Sequence, residues 1–259
     1  MRGAGLCFVP LLLAGCLSNQ FNLATQREEY VITSTEKEVK VGRRIAQQVK
    51  RELPEADEPL QQRVREIGAN IAAVCDRREL VYTFTVVEEE ELNAFSLPGG
   101  YVFVNDGLIK KTDSDDELAG VIAHEVAHIT ARHAMKRYEG SLGAQLAALA
   151  AVAARDGRAA RGVSTALRAA RLSYARQDEL EADRLAVKYL KAAGYKPEAL
   201  LTFMETLRKD RRGKTTYMPR GVVRPHYAMT HPMVAERVRT VKEAIYGVAD
   251  YIDYLNTPR

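Results

Sequence analysis

From about residue 36 onward, apolar side chains recur at helical spacing. Val39, Val41, Ile45, Ala46 and Val49 form one stripe, and Leu60, Val64, Ile67, Ile71 and Val74 form a second. Each stripe returns every three or four residues, so two amphipathic helices open the folded part of the chain. The period then changes. Leu80 to Val87 alternates Tyr82, Phe84 and Val86 with Val81, Thr83 and Thr85, and Tyr101-Val102-Phe103-Val104 is a second β-rich run. Between them lies Asn93-Ala94-Phe95-Ser96-Leu97-Pro98-Gly99-Gly100, where the proline and the glycine pair enforce a turn. Beyond Asp113 the pattern reads as helix. A few strands followed by a run of helices is an α+β arrangement, mostly helical with a small β-sheet. No proline-, glycine- or serine-rich break and no repeat of about 20 to 50 residues divides it, so one domain over residues 35–259 is expected.

The start of the chain follows another rule. Met1-Arg2 is a positive lead, and Leu6 to Leu13 is an apolar run too short to span a bilayer as a stable helix, which is the form of a secretory signal. Leu13-Ala14-Gly15-Cys16 resembles the bacterial lipoprotein lipobox. That resemblance implies cleavage before Cys16 (signal peptide 1–15) and acylation of Cys16. Two or more acyl chains anchor stably where one is marginal. The expectation is a protein held on a membrane without crossing it. Residue 17 is leucine, not aspartate, which by the sorting habit of two-membraned bacteria favours the outer membrane, facing the periplasm. Residues 16–34 are polar without sustained periodicity and read as a flexible tether.

Composition narrows the rest. With 259 residues, 46% hydrophobic and 28% charged, the chain has the balance of a globular protein rather than a disordered or fibrous one. A formal charge of +4 from 38 basic and 34 acidic residues is too mild and too evenly spread to argue for nucleic acid. Of three cysteines only Cys75 lies in the body, so no disulfide framework is expected, and Cys75 reads as a packed thiol.

The chemistry is concentrated after Ser114-Asp115-Asp116-Glu117, which has the form of a capping box. The helix that follows is apolar on nearly every side (Leu118, Val121, Ile122, Ala123, Val126, Ala127, Ile129), yet carries His124, Glu125 and His128. Residues four apart differ by about 40° around a helix and about 6 Å along it, so both imidazoles leave one face and can bind one metal. This is the HExxH arrangement, in which zinc lowers the pKa of water toward about 7 and the glutamate takes its proton. A zinc ion also accounts for a buried polar trio that would otherwise cost several kcal/mol.

A catalytic zinc needs a third protein ligand. The extension HExxHxxGxxH is absent, because Ala131 and Ala134 stand where glycine and histidine would be required, and His133 reads as a packing or surface histidine. A later helix opening at Arg176-Gln177-Asp178-Glu179-Leu180-Glu181-Ala182-Asp183 offers a carboxylate. Glu179 and Asp183 share a face, so Glu179 can bind zinc while Asp183 accepts a hydrogen bond from a ligand histidine. Glu181, pointing elsewhere, stays open as the alternative ligand.

Taken together, Asn93-Ala94-Phe95 with Leu97-Pro98-Gly99-Gly100, Val102-Phe103-Val104-Asn105, HEVAH at 124–128, Glu179 with Ala182-Asp183, and Thr230-His231-Pro232 resemble the HtpX-like and CAAX-prenyl-protease-like zinc metalloendopeptidases. The likeness runs from about Thr35 to Val241 and is nearest to their soluble lipoprotein or periplasmic branch, the BepA and Oma type. It implies a gluzincin fold with the sheet edge lining the cleft, one zinc on His124, His128 and Glu179, and Glu125 as general base and acid in peptide hydrolysis. Ala175 replaces a serine usual in that family. The chain lacks the transmembrane helices of the embedded relatives and ends within about twenty residues of the shared region, as a minimal form would. The resemblance also suggests that His231 approaches the metal, polarising an oxyanion or capping the site, whereas its plain reading is a residue leading into a helix. Asn93, Ala94 and Phe95 are candidates for an edge that takes up substrate backbone as an added strand. Residues 142–154 are apolar and too few to span a membrane, which suits a buried segment or flap over the cleft, or a dip into the bilayer surface. The expected partners are polypeptides, such as misfolded or unassembled envelope proteins. The competing expectation is a chaperone-like or scaffold lipoprotein whose zinc site is closed.

Overall fold

The computed structural model describes residues 18–31, 33–140, 175–213, 231 and 235–247. Cys16 and the apolar segment 142–154 lie outside them. Three strands form a mixed sheet: β3 (Thr83–Val87), β4 (Ala94–Leu97) and β5 (Tyr101–Asn105), ordered β3-β5-β4. β5 is parallel to β3 and antiparallel to β4. β3 starts at Thr83 rather than Leu80 because its partner starts at Tyr101, and Thr83 pairs with Tyr101. Val81, with no strand beside it, is 82% exposed.

Helix α1 (Thr35–Glu52) is capped by Ser34, and α2 (Glu58–Val74) has proline in its first turn. α3 (Asp106–Ile109) leads to α4 (Asp115–Thr130), and a short helical stretch covers 133–140. Three further described helices follow: α5 (Arg176–Ala193), α6 (Glu198–Gly213) and α7 (Ala235–Tyr246). At the start of α4 the Ser114 hydroxyl accepts from Glu117 N, while the Glu117 carboxylate reaches Asp113 N at 2.8 Å. This is the anticipated capping box with its return bond shifted by one residue.

Every residue of α4 from Glu117 to Thr130 is buried. The helix is the axis of the domain, packed by α2, α5, α6 and β4. The main core joins Val64, Ile67 and Ile71 of α2 with Leu118, Val121 and Ile122 of α4 and Leu185, Tyr189 and Leu190 of α5. The architecture is α+β and mostly helical, as the periodicity indicated. Among the described residues, no helix is long and apolar enough to cross a membrane.

The residues anticipated as a flexible tether differ. Ser18–Asn22 (β1) and Arg27–Val31 (β2) pair as an antiparallel hairpin. Asn22 Oδ1 accepts from Ala24 N at 2.9 Å to close the turn, and Gln26 takes φ 53°. The hairpin is pinned to the far end of α4 and to the stretch after it: Asn22 Nδ2 donates to Thr130 O, and Lys136 pairs with Glu29 at 2.7 Å. These are polar links without an apolar stripe, which is why hydrophobic periodicity passed over them.

Candidate metal centre

α4 places His124 and His128 one turn apart, with ring centroids 4.7 Å apart and Nε2 atoms separated by 3.0 Å. α5 lies against α4 and brings in Glu179, whose Oε1 is 3.4 Å from His128 Nε2 and whose Oε2 is 3.5 Å from His124 Nε2. His231, just before α7, places Nδ1 3.3 Å from His124 Nε2 and 3.0 Å from Glu179 Oε1. One donor atom from each of the four residues thus falls within 4.8 Å of the others, and all four side chains are buried. A tetrahedral site with zinc–ligand bonds of about 2.0–2.2 Å separates its donors by roughly 3.3–3.6 Å, close to these spacings. Imidazole and carboxylate donors are also the chemistry zinc takes, so the residues present fit the ion.

The electrostatics leave His128 and Glu179 ready to bind a cation and hold a proton on His124 that a metal would displace. Burial, reinforced by neighbouring His124 and His133, pushes the His128 imidazole well below its usual value, leaving a neutral ring with a lone pair. Burial and the Arg237 guanidinium oppose a proton on His124, but the Asp183 and Glu179 carboxylates outweigh them and carry it up to about 9. For Glu179, burial would raise the carboxyl, yet His231, His124 and His128 around it hold it far below the carboxylate range. It remains an anion at any working pH.

Glu125 stands apart. It is fully buried, neither carboxylate oxygen has a hydrogen-bond partner, and His231 Nε2 is 3.3 Å from its Oε1. Burial raises its carboxyl, against the pull of His231 and His124. A buried carboxyl beside a metal-binding cluster is suited to moving a proton.

Asp183 is where the helical spacing put it, one turn after Glu179, with Oδ1 3.0 Å from His124 Nδ1. What sequence reasoning missed is its counter-charge. Arg237 from α7 grips Asp183 with two bonds, Nε to Oδ2 at 2.8 Å and Nη2 to Oδ1 at 2.7 Å, and its Nη1 lies 2.8 Å from Glu179 Oε2. It is 1% exposed. The available signal was an arginine in register with Thr240 and Val241, the buried stripe of that helix. His133, read as a packing or surface histidine, is buried with its Nδ1 2.9 Å from His128 Nδ1. Glu181, the alternative ligand, meets His133 at 3.2 Å and is not among the converging donors.

β4 runs beside this cluster. Ala94 and Ser96 face inward, while Phe95 turns the other way and stacks on Phe103 at 5.2 Å. Asn105 N donates to Asn93 O, so pairs 93:105, 95:103 and 97:101 carry the ladder bonds. By that alternation the backbone groups of Ala94 and Ser96 point away from β5, toward the sheet edge that no strand covers among the described residues. Of Asn93, Ala94 and Phe95, Ala94 is thus the one whose backbone groups face that edge, together with those of Ser96.

Comparison with known proteins agrees with this centre. Residues 58–245 match peptidase family M48. The chain belongs to that family. Among M48 relatives, it is 30% identical over 214 residues to the beta-barrel assembly-enhancing protease of Escherichia coli (strain K12), covering 78% of this chain and 42% of that protein. It is 29% identical over 182 residues to the mitochondrial metalloendopeptidase OMA1 of Schizosaccharomyces pombe, covering 70% of this chain and 51% of the relative. A third M48 relative, the metalloprotease YcaL of Escherichia coli, is 30% identical over 173 residues, with 62% and 61% covered. This M48 chain spans less than half the length of the beta-barrel assembly-enhancing protease it matches.

Proposed function

We propose that the chain is a zinc-dependent metalloendopeptidase in which His124, His128 and Glu179 hold the ion and Glu125 moves the proton. The observation that carries this reading is the convergence of those donors beside the fully buried Glu125 carboxylate, which has His231 Nε2 3.3 Å away. The substrate is a polypeptide in extended form, adding to the free edge of β4 through the backbone groups of Ala94 and Ser96. Zinc, when bound, draws electron density from the scissile carbonyl and acidifies the attacking water. Glu125 takes the proton from that water and returns it to the leaving amine. Asp183 keeps His124 oriented through Nδ1, and Arg237 keeps both Asp183 and Glu179 in place.

The leader pattern and Cys16 support a bacterial lipoprotein on the outer membrane facing the periplasm, which makes unassembled or misfolded envelope proteins the proposed clients. Glu125→Gln is expected to retain one zinc per chain and to lose cleavage of an unfolded protein by at least about 100-fold, the usual scale of general-base loss. Undiminished cleavage by that variant would sink the assignment.

One observation favours a second state of the same site. His231 lies inside the donor cluster, so four protein donors are available to the ion. This supports a resting form capped by His231, and a protein that binds clients without routine proteolysis is the limiting case. His231→Ala then raises the cleavage rate. If His231 instead polarises the developing oxyanion, the same variant lowers it.

A further inference from the structure

The two α4 histidines are backed differently at their second ring nitrogens. On His124 that nitrogen, Nδ1, is 3.0 Å from the Asp183 carboxylate. On His128 it is 2.9 Å from another imidazole, Nδ1 of His133. His133 is buried, and its Nε2 continues to Glu181 Oε2 at 3.2 Å, with Asp178 Oδ1 at 3.6 Å. The protons in such a chain order themselves. A His128 that offers its Nε2 lone pair to a metal carries its proton on Nδ1. That N–H can only donate, so His133 accepts at Nδ1 and carries its own proton on Nε2. The second N–H donates in turn to the Glu181 carboxylate.

The backbone shows how His133 reaches this place. In a continuous helix, residue 133 would lie about 140° around the axis from 128. α4 ends instead at Thr130, and Arg132 adopts φ 60°, a left-handed conformation uncommon for a side chain of this kind. Arg132 is held there by its own guanidinium, which donates to Thr33 O at 2.9 Å and lies 3.5 Å from Glu38. The strained residue breaks the helix so that the chain turns His133 back onto His128.

We propose that His133 is a positioning residue for the metal ligand His128 and that Glu181 anchors it, making a two-step imidazole–carboxylate relay opposite the one-step Asp183 contact. The inference rests on the zinc reading above. Partners of this kind fix a ligand's tautomer and ring orientation, and their loss costs about 10- to 100-fold in metal affinity.

The test uses the full chain, stripped of metal and titrated with zinc against a chromophoric chelator, with the visible absorption of the cobalt-substituted protein as a second readout. His133→Ala is expected to weaken zinc binding about 10- to 100-fold and to shift the cobalt band. His133→Gln, whose amide oxygen still accepts from His128 Nδ1, recovers most of the affinity. Glu181→Ala gives a smaller loss, because Asp178 remains within reach of His133. Melting of each metal-free variant separates a lost fold from a loosened ligand. Wild-type affinity and an unshifted band in His133→Ala overturn the proposal. Should that variant not fold, unchanged affinity and band in Glu181→Ala overturn it instead. If the wild-type chain itself binds no zinc, the reading beneath falls too. Zinc binding that all variants share equally defeats the relay alone.

Discussion

Arg237 is a buried charge whose loss would strand others. It neutralises two buried carboxylates at once, Asp183 and Glu179. Removing one member of a buried ion pair leaves the other stranded at a cost of about 3–5 kcal/mol. Arg237→Ala is therefore expected to lower the unfolding free energy of the metal-free protein, read from urea denaturation, by that amount, whereas an exposed change such as Arg65→Ala stays within about 0.5 kcal/mol. Arg237→Lys restores charge but not the two-point grip, so it recovers only part. Cys75 makes the opposite point. It is buried, donates to Tyr82 Oη at 3.3 Å, and burial pushes its thiol up. A raised pKa means less thiolate at a given pH, so alkylation at pH 8 is slow in the native protein and fast after unfolding; rapid native labelling would contradict this. At this scale the sequence was legible wherever spacing alone decides geometry. His124, Glu125 and His128 share one helix, and Glu179 and Asp183 share another. Arg237 and His133 were not legible as partners because their contacts depend on how α7 packs and on the break at Arg132.

At the scale of elements, the β4–β5 hairpin is the part on which the proposed mode of substrate binding depends. Its turn is clamped to α1: the Glu38 carboxylate accepts from Gly99 N at 3.2 Å and pairs with Arg77 at 2.9 Å. A Cβ on Gly99, which has φ 77°, would lie 2.6 Å from Val39 Cα, so helix and turn touch backbone to backbone. The Pro98-Gly99-Gly100 signal foretold a turn, but not that α1 would sit on it. The free edge gives a prediction of its own. Ala94→Pro removes an N–H that points away from β5, so it is expected to raise KM for a polypeptide by up to about tenfold, one lost hydrogen bond, while sparing zinc uptake. An unchanged KM would remove β4 from substrate binding. The β1–β2 hairpin escaped sequence reading because its turn is closed by Asn22 and its docking is polar, neither of which leaves a hydrophobic period.

Over the whole molecule, the buried α4 gathers what the chain supplies from distant positions. α2 and the sheet support one side, α5 delivers Glu179 and Asp183, and the segment before α7 delivers His231. The α+β class followed from the change of period between Val74 and Tyr101, because two strands among many helices can only form a small sheet beside a helical core. The central claim is that this assembly is a one-zinc peptidase, and restoring metal to the stripped chain tests it most directly. Cleavage of an unfolded protein should vanish on chelation and return in proportion to added zinc, with a break at one equivalent per chain. Cleavage that survives complete removal of metal, or that fails to return at one equivalent, would contradict the account.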